Sequence, residues 1–312
     1  MTLSPSIDSL ADSAIKLKAS ELTQLSGLLD DERDELRSRW TEIDPARRRE
    51  ILTMLIELAD DSCELDFGAV YDAALADLDA SVRERAVSGL WESDDRRTIP
   101  KLTALLSDDV DERVRVTAAL VLGHFAVLAA AGKLVERDAT CVYRSLMDAL
   151  GNGDEPLAVR RRALEAVAAF ATPELPGLIR RAYESDEPKL RQSALCAMGR
   201  TGELTWLPAI HTEMRDGDPA MRYEAANAAR EVGEKESVSH LAGLVDDTDV
   251  EVALAAVLAL GMIGGAKAKK LLRDISAGDE DASMIEAASE ALRLAEMDKE
   301  EHSFLKVSDR LG

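Results

Sequence analysis

The chain has 312 residues, a formal net charge of −22, 46% hydrophobic residues and only 4% aromatic residues. This acidity argues against nucleic acid or an anionic membrane as a partner, because both are bound through Lys and Arg that neutralise phosphate. No apolar run approaches the roughly 18 residues of a membrane-spanning helix, and the first residues lack the basic and apolar stretches of a signal peptide. With only three cysteines, a cytoplasmic protein with reduced thiols is expected.

Residues 1–65 are predicted to form a helical cap at the N-terminus. They contain two amphipathic segments, one over residues 20–40 and one that begins at Pro45. Proline is favoured in the first turn of a helix, so the chain is expected to break between these segments at Asp44 and Pro45.

Residues 66–297 carry one pattern seven times. The copies begin at Val82, Val114, Val159, Leu190, Met221, Val252 and Met284, and all steps but one are 31 or 32 residues. Each copy has Ala four residues after its first residue, and its apolar positions fall on one face of a helix. A fixed period of this size indicates stacked helix–turn–helix units, none of which buries its apolar face alone.

Acidic residues mark the turn before each of these helices. The Asp residues three positions before the first apolar residue are predicted to be helix caps: Asp79, Asp111, Asp218, Asp249 and Asp281. The Arg residues that follow the first apolar residue are predicted to form a ladder, each bonding a turn carboxylate of a neighbouring unit: Arg83, Arg115, Arg160, Arg191 and Arg222.

Two segments depart from the period. The single step of 45 residues leaves about 14 extra residues, at roughly 126–140, which are expected to form a longer helix or a projecting loop. Residues 298–312 are expected to be a C-terminal tail that is either disordered or a short docking segment.

The pattern Asp-x4-Val-Arg-x2-Ala-x3-Leu-Gly, clearest from Asp109 to Gly123, resembles the HEAT repeat family in its short bacterial and archaeal form. The resemblance implies an all-α, right-handed α-α superhelix of armadillo type. It would have about seven helical-hairpin repeats behind the N-terminal cap, and the second helix of each repeat would line a concave surface.

That surface is the candidate binding site, and we predict a non-catalytic scaffold or adaptor for a protein partner with basic segments. Aromatic residues and Arg are typical interface anchors, although mixed charge on a helix face is also what an ordinary solvated surface shows. The candidate contact residues are Arg85, Trp91, Glu92, Arg162, Glu165, Arg200, Tyr223, Glu224 and Asn227.

A second candidate surface is apolar. The outward face of one second helix contains Leu254, Ala255, Leu258 and Met262. If these four side chains are exposed, they form an apolar patch of a kind that soluble monomers seldom leave uncovered. Either the tail covers it, through Phe304 and Leu305, or a second protomer does, so the chain is predicted to be a monomer or a weak homodimer.

The sequence contains no recognisable set of residues for a catalytic site. The four His residues lie in different units without paired spacing, and no catalytic residue, metal site or cofactor is predicted. HEAT-like hydroxylases that bind two irons use repeated His-Glu pairs, and this sequence contains no His-Glu dipeptide. Some bilin lyases are built from similar repeats, so an enzyme or small-ligand binder of that group stays the alternative function.

Overall fold

The computed structural model describes residues 4–62, 64–278 and 281–308, with side chains described from Ile7 to Glu296 within those ranges. All regular elements in these ranges are helices, which confirms the predicted all-α class. The chain divides into two compact units, Met1–Phe170 and Ala171–Gly312.

The first unit contains ten α-helices. They are α1 (Ser4–Ala11), α2 (Ala19–Leu22), α3 (Asp30–Arg39), α4 (Pro45–Asp61), α5 (Gly68–Ala74), α6 (Ala80–Ser88), α7 (Ile99–Asp108), α8 (Glu112–Ala130), α9 (Glu136–Gly151) and α10 (Leu157–Val167).

The second unit contains eight α-helices in its described residues. They are α11 (Leu175–Tyr183), α12 (Pro188–Thr201), α13 (Leu207–Glu213), α14 (Pro219–Val232), α15 (Val238–Leu241), α16 (Val250–Ile263), α17 (Gly265–Ser276) and α18 (Ala282–Ser308). In the second unit short and long helices alternate from α11 to α18, as expected for helical-hairpin repeats. The exact number of repeats and the capping role of residues 1–65 stay predictions.

The N-terminal segment differs in part from the prediction. Helix α4 begins at Pro45 as expected, and the Asp44 carboxylate accepts a hydrogen bond from the Ala46 N–H at 2.9 Å. The helix predicted over residues 20–40 is wrong, because the chain breaks between α2 and α3. Gly27 lies there with φ of +64° and donates to the Asp66 carbonyl at 2.8 Å, a left-handed conformation that glycine adopts without strain.

The predicted alanine cores are confirmed, and so are four of the five predicted caps, while the cap at Asp281 stays a prediction. The seven Ala residues at the fourth position of the pattern have no exposed surface: Ala86, Ala118, Ala163, Ala194, Ala225, Ala256 and Ala288. Asp79, Asp111, Asp218 and Asp249 each cap their helix, since their carboxylates accept from backbone N–H groups of the first turn. These bonds satisfy donors that have no partner inside the helix.

Four rungs of the predicted Arg ladder also form. Arg83 bonds both carboxylate oxygens of Asp109 at 2.7 Å, Arg222 bonds both oxygens of Asp247 at 2.7 Å, Arg115 bonds Glu155 at 3.1 Å, and Arg191 bonds Glu213 at 3.3 Å. Arg160 is the exception, because its Nε is buried without a hydrogen-bond partner among the described residues. Each of these four rungs joins one repeat to the next through charge-assisted bonds.

The extra residues at 126–140 lengthen helices and do not form a projecting loop. Helix α8 has 19 residues, whereas the second helices α12, α14 and α16 have 14 each. Ala126 is fully buried, and the chain turns at Gly132, where φ is +70°. The insertion therefore adds to the packed core of the first unit.

Helix α8 is also long and apolar enough to cross a membrane by length and composition, which the sequence analysis did not foresee. Half of its apolar window is buried inside the fold. Val114, Leu122 and Phe125 have no exposed surface, so packing of the repeat accounts for their apolar character.

Candidate functional site

The predicted contact residues fall into two groups, one in each unit. In the first unit, Trp91 is 55% exposed and Glu92 is exposed beside it. Arg85 is only half-buried, and its guanidinium donates to the Thr53 hydroxyl at 3.1 Å and the Ser81 carbonyl at 3.0 Å. Arg85 therefore takes part in the internal bonding of the unit.

The burial of Glu165 does not fit the prediction that this residue contacts a partner. It is 5% exposed, and its carboxylate accepts from Arg162 Nη1 at 2.6 Å. One turn of helix separates the two residues, and their ion pair holds the Arg162 guanidinium beside the Glu165 carboxylate. Glu165 is thus a buried ion-pair partner, and Arg162 is held to the helix surface.

In the second unit the outward faces of α14 and α16 carry exposed apolar side chains. Tyr223 is 37% exposed, Leu258 is 40% exposed and Met262 is 64% exposed, while Leu254 is half-buried. Ala255 is 3% exposed and belongs to the core, so the predicted apolar patch is narrower than its four residues. We call Tyr223, Leu254, Leu258 and Met262 the apolar face.

The polar candidates of the second unit lie on α12 and α14. Arg200 is exposed at the end of α12, and Glu224 and Asn227 are half-buried on α14. The Asn227 amide donates to the Tyr223 carbonyl at 3.2 Å, so it is partly engaged by its own helix. The side chains of Phe304 and Leu305 lie outside the described residues, and tail docking stays a prediction.

Two clefts in the first unit were missed by the sequence reasoning. The larger has a volume of about 840 Å³ and is lined by Asp and basic residues. Its cations pair locally: Arg37 bonds Asp34 at 3.2 Å and Asp72 at 3.1 Å, and Lys101 also bonds Asp72. These charges satisfy one another, which leaves the larger cleft without a dominant sign.

The smaller cleft, of about 260 Å³, lies beside Trp91 and we call it the Trp91 cleft. It is lined by Ile56, Ala59, Asp60, Leu65, Asp66, Phe67, Gly68, Tyr71, Gly89, Leu90, Trp91, Glu92 and Ser93. Trp91 occupies the ninth position of the repeat, where Gly is usual, and this substitution was the one visible signal of the cleft in the sequence.

A pair of imidazoles occupies the second unit. The rings of His211 and His240 stack with their centroids 3.9 Å apart, and His211 Nε2 lies 2.9 Å from the Ser237 hydroxyl. Burial lowers the pKa of His211, and the charge that His240 would carry lowers it further. The neutral form of His211 is therefore favoured.

The described side chains do not assemble a metal centre. No group of three or more His, Cys, Asp or Glu among them has an arrangement that could hold a metal ion. Cys141 is exposed and Cys196 is half-buried, neither forms a disulfide among the described residues, and Cys63 lies outside those residues.

Comparison with known proteins gives a family match and several partial similarities. The family model described as HEAT repeats matches residues 69–140 and 207–293, together just over half of the chain. Deoxyhypusine hydroxylase of Gallus gallus is 27% identical over 129 residues, which are 41% of this chain and 42% of that protein. The chain thus matches less than half the length of this curated relative.

Solved structures similar to the chain include a deoxyhypusine hydroxylase and an importin beta. Human deoxyhypusine hydroxylase in complex with glycerol has a TM-score of 0.38 and 20% identity, covering 89% of this chain and 98% of that one. Importin beta has a TM-score of 0.47 and 14% identity, covering 94% of this chain and 46% of that one.

Proposed function

Because the chain belongs to the HEAT repeat family, we propose that it is a non-catalytic scaffold in the cytoplasm that binds a protein partner with basic segments. Repeat proteins of this architecture present extended helix faces, and partner binding is a common use of such faces. The proposal rests on one observation, the apolar face of α14 and α16.

The apolar face is unusual for a surface exposed to water. Leu258 and Met262 lie one turn apart on α16, and both remain substantially exposed. Leu294, on the next second helix, is 39% exposed as well. Contiguous exposed apolar residues mark interaction sites more often than isolated ones do, and Met adapts its shape to a partner.

Charge around the apolar face supports a basic partner. Residues 231–300 contain 16 Asp and Glu against 7 Lys and Arg. Glu251 on α16 and both Glu286 and Glu290 on α18 are exposed. Negative charge around an apolar centre steers a basic segment toward the surface, and salt weakens this attraction.

Affinity capture with the full chain, followed by mass spectrometry and binding measurements on the purified partner, tests the proposal. We expect a protein partner whose affinity falls as the salt concentration rises. Replacing Leu258 and Met262 together with Ser should weaken binding about tenfold or more, because interface anchors contribute at least 1–2 kcal/mol each.

The matched control replaces Leu78 and Val110 with Ser, since both are more than nine-tenths exposed and lie in turns of the first unit. Equal loss of binding in the control and in the Leu258 and Met262 variant would remove the apolar face from the proposal. Recovery of a bound metabolite and no protein would favour a small-ligand binder.

The similarity to deoxyhypusine hydroxylase supports an enzyme as the second candidate. The residues present do not fit an iron site of the kind built from His-Glu pairs, because the sequence has no such dipeptide. Anaerobic incubation with Fe²⁺, gel filtration and metal analysis would decide this point. Retention of one or two iron ions per chain would favour the enzyme over the scaffold.

A further inference from the structure

The Trp91 cleft contains a polar group that the protein leaves without a partner. Tyr71 is 3% exposed and lines the cleft, and its hydroxyl is buried without a hydrogen-bond partner among the described residues. Buried polar atoms are nearly always paired, because an unpaired one loses its bonds to water without replacement. The Tyr71 hydroxyl is closed off from water and lacks a hydrogen-bond partner in the described part of the chain, so a ligand group that reached it would supply the missing bond.

Gly89 explains how the Tyr71 ring reaches this position. A Cβ atom at residue 89 would lie 2.4 Å from Tyr71 Cε1 and 2.5 Å from Cζ, distances that no real side chain tolerates. The absence of a side chain lets the ring lie flat against the α6 backbone. The phenol is thus held in place by close packing and not by hydrogen bonds of its own.

The charges that line the cleft have one sign. Asp60, Asp66 and Glu92 contribute carboxylates, and none of the residues lining the cleft is Lys, Arg or His. Burial raises the pKa of Tyr71, and the negative charges of Asp60 and Asp66 raise it further, because all three effects disfavour a phenolate. The same negative potential favours a cation beside the neutral hydroxyl.

The remaining walls suit an apolar stem that carries such a cation. Phe67, Leu65 and Leu90 are apolar, and the half-exposed indole of Trp91 stands at the rim. Trp is the aromatic side chain that attracts cations most strongly through its ring face. At about 260 Å³, the cleft is smaller than typical small-molecule pockets of roughly 300–1,000 Å³, so it suits one slender group.

We propose that the Trp91 cleft binds an alkylammonium group, a primary amine on an unbranched apolar stem. The ammonium N–H donates to the Tyr71 hydroxyl oxygen and to the carboxylates of Asp60 and Asp66, and the stem packs between Phe67 and Trp91. Where the group is a Lys side chain of the protein partner, this inference rests on the proposed function. A free polyamine carries the same chemistry.

Titration of the full chain with three probes tests the proposal, with the indole N–H signal of Trp91 followed by NMR. The probes are acetyl-Gly-Lys-Gly-amide, its neutral analogue with norleucine in place of Lys, and spermidine. We expect the Lys peptide to bind at least about tenfold more tightly than the norleucine peptide, since charge-assisted hydrogen bonds are lost in the analogue. Equal binding of the two peptides would overturn the proposal.

Two variants locate the site. Tyr71→Phe should weaken binding of the Lys peptide about fivefold or more, yet leave the melting temperature equal or higher, because it removes an unpaired buried hydroxyl. The double variant Asp60→Asn with Asp66→Asn should weaken binding about tenfold. Asn at residue 66 keeps an oxygen for the Gly68 N–H, which the Asp66 carboxylate accepts at 2.9 Å.

The matched control is Asp61→Asn with Asp108→Asn, which removes two exposed carboxylates that do not line the cleft. It should leave binding of the Lys peptide within about twofold of the wild type, since exposed charges interact weakly. Loss of binding in the control equal to that in the Asp60 and Asp66 variant would mean that net charge, and not the cleft, attracts the amine. Gly89→Ala places a Cβ atom against the Tyr71 ring and so displaces the ring without any change of charge. This variant should weaken binding of the Lys peptide.

The source of the amine follows from the probes. Spermidine that binds more tightly than the Lys peptide would assign the cleft to free polyamines, whereas the reverse order would assign it to a Lys side chain. If no amine binds but a captured partner still depends on Leu258 and Met262, only this inference fails. If amines bind and no protein partner depends on the apolar face, the proposed function is wrong, whereas the amine site in the Trp91 cleft is still supported.

Discussion

Glycine packs against different neighbours in the two units of the molecule. In the second unit, Gly261 lies against the next second helix, where a Cβ atom would be 2.7 Å from the Cβ atom and 2.8 Å from the carbonyl oxygen of Ala291. In the first unit, Trp91 takes the equivalent ninth position of the repeat. Gly89, two residues earlier, lies against the Tyr71 ring of its own repeat.

A shift of two positions along a helix therefore changes what the repeat does. Two residues correspond to about 200° around the helix axis, so Gly89 and Gly261 approach neighbours on different sides. Gly261 brings two second helices into backbone contact, and Gly89 admits a tyrosine ring beside an open cleft. The two repeats thus share the same kind of core but differ in the position of their glycine. Gly261 lies at a close contact between two helices, and Gly89 lies beside the Trp91 cleft.

The largest expected effect concerns the rungs of the Arg ladder, which differ in geometry from one rung to another. Arg83 bonds Asp109 through two bonds of 2.7 Å, whereas Arg191 lies 3.8 Å from Asp216. Asp109→Ala should lower the free energy of unfolding by about 3 kcal/mol, because it leaves a largely buried guanidinium without its charge partner. Asp216→Ala should cost about 1 kcal/mol.

Asp216 is a close control for Asp109, since each carboxylate also accepts one N–H of its turn, at 2.8 Å and 2.9 Å respectively. Urea denaturation followed by circular dichroism measures both variants. Equal losses of stability would show that the turn bond matters and the Arg bond does not.

The next largest effect tests the glycine contact itself. Gly261→Ala should destabilise the protein by about 2 kcal/mol, because the new methyl group meets the Ala291 backbone and the helices must separate. Gly153→Ala is the control, since a Cβ atom there meets nothing within 4 Å, and its effect should stay within about 0.5 kcal/mol. Thermal unfolding of both variants checks the difference.

A smaller effect distinguishes the units by their response to pH. In the first unit, the sole histidine, His124, lies 2.8 Å from the exposed Asp94, whereas the second unit buries His211 against His240. Because burial lowers the folded pKa of His211, the unfolded chain binds the proton first as the pH falls below about 6.5. The free energy of unfolding should therefore decrease as the pH falls from about 7.5 to about 5.5.

His211→Gln removes this titration and should flatten the dependence on pH, while Gln can still bond the Ser237 hydroxyl. Unfolding free energies from urea titrations at the two pH values measure the difference. A variant that keeps the full wild-type dependence would assign the effect to other groups.

The smallest effect is expected at Trp91. Trp91→Ala should change the free energy of unfolding by less than about 0.5 kcal/mol, since more than half of the side chain is exposed. Differential scanning calorimetry is suited to this comparison, with Trp40→Ala as the contrasting variant because Trp40 is 2% exposed and donates to Asp77 at 2.9 Å. A large loss at Trp91 would show that the indole is part of the core.

The repeat features were accessible from the sequence because they depend on residues close together in the chain. The buried Ala at the fourth position and the capping Asp of each turn follow from helix periodicity and from the free N–H groups of a first turn. The Arg ladder was accessible for a different reason, since its partners recur at the period of the repeat. The break at Gly27 was missed because one left-handed residue leaves the amphipathic pattern on both sides intact.

The functional surface was less accessible. Helical-wheel geometry placed Glu165 among the outward positions, yet Glu165 is 5% exposed and paired with Arg162. The same reasoning placed Ala255 in an exposed patch, where the neighbouring helices cover it. Exposure of a side chain depends on its neighbours in space, and a wheel contains only neighbours along one helix.

The sequence alone determined that this protein is built from helical hairpins with alanine cores, Asp caps and Arg rungs, because a period of about 31 residues repeats the same local interactions. Only the tertiary structure decided which outward residues remain exposed and that a cleft lies beside Trp91. That cleft joins Asp60 on α4 and Tyr71 on α5 to Trp91 in the turn after α6. Such a juxtaposition depends on how closely helices approach, and close packing of single atoms against Gly89 sets that distance.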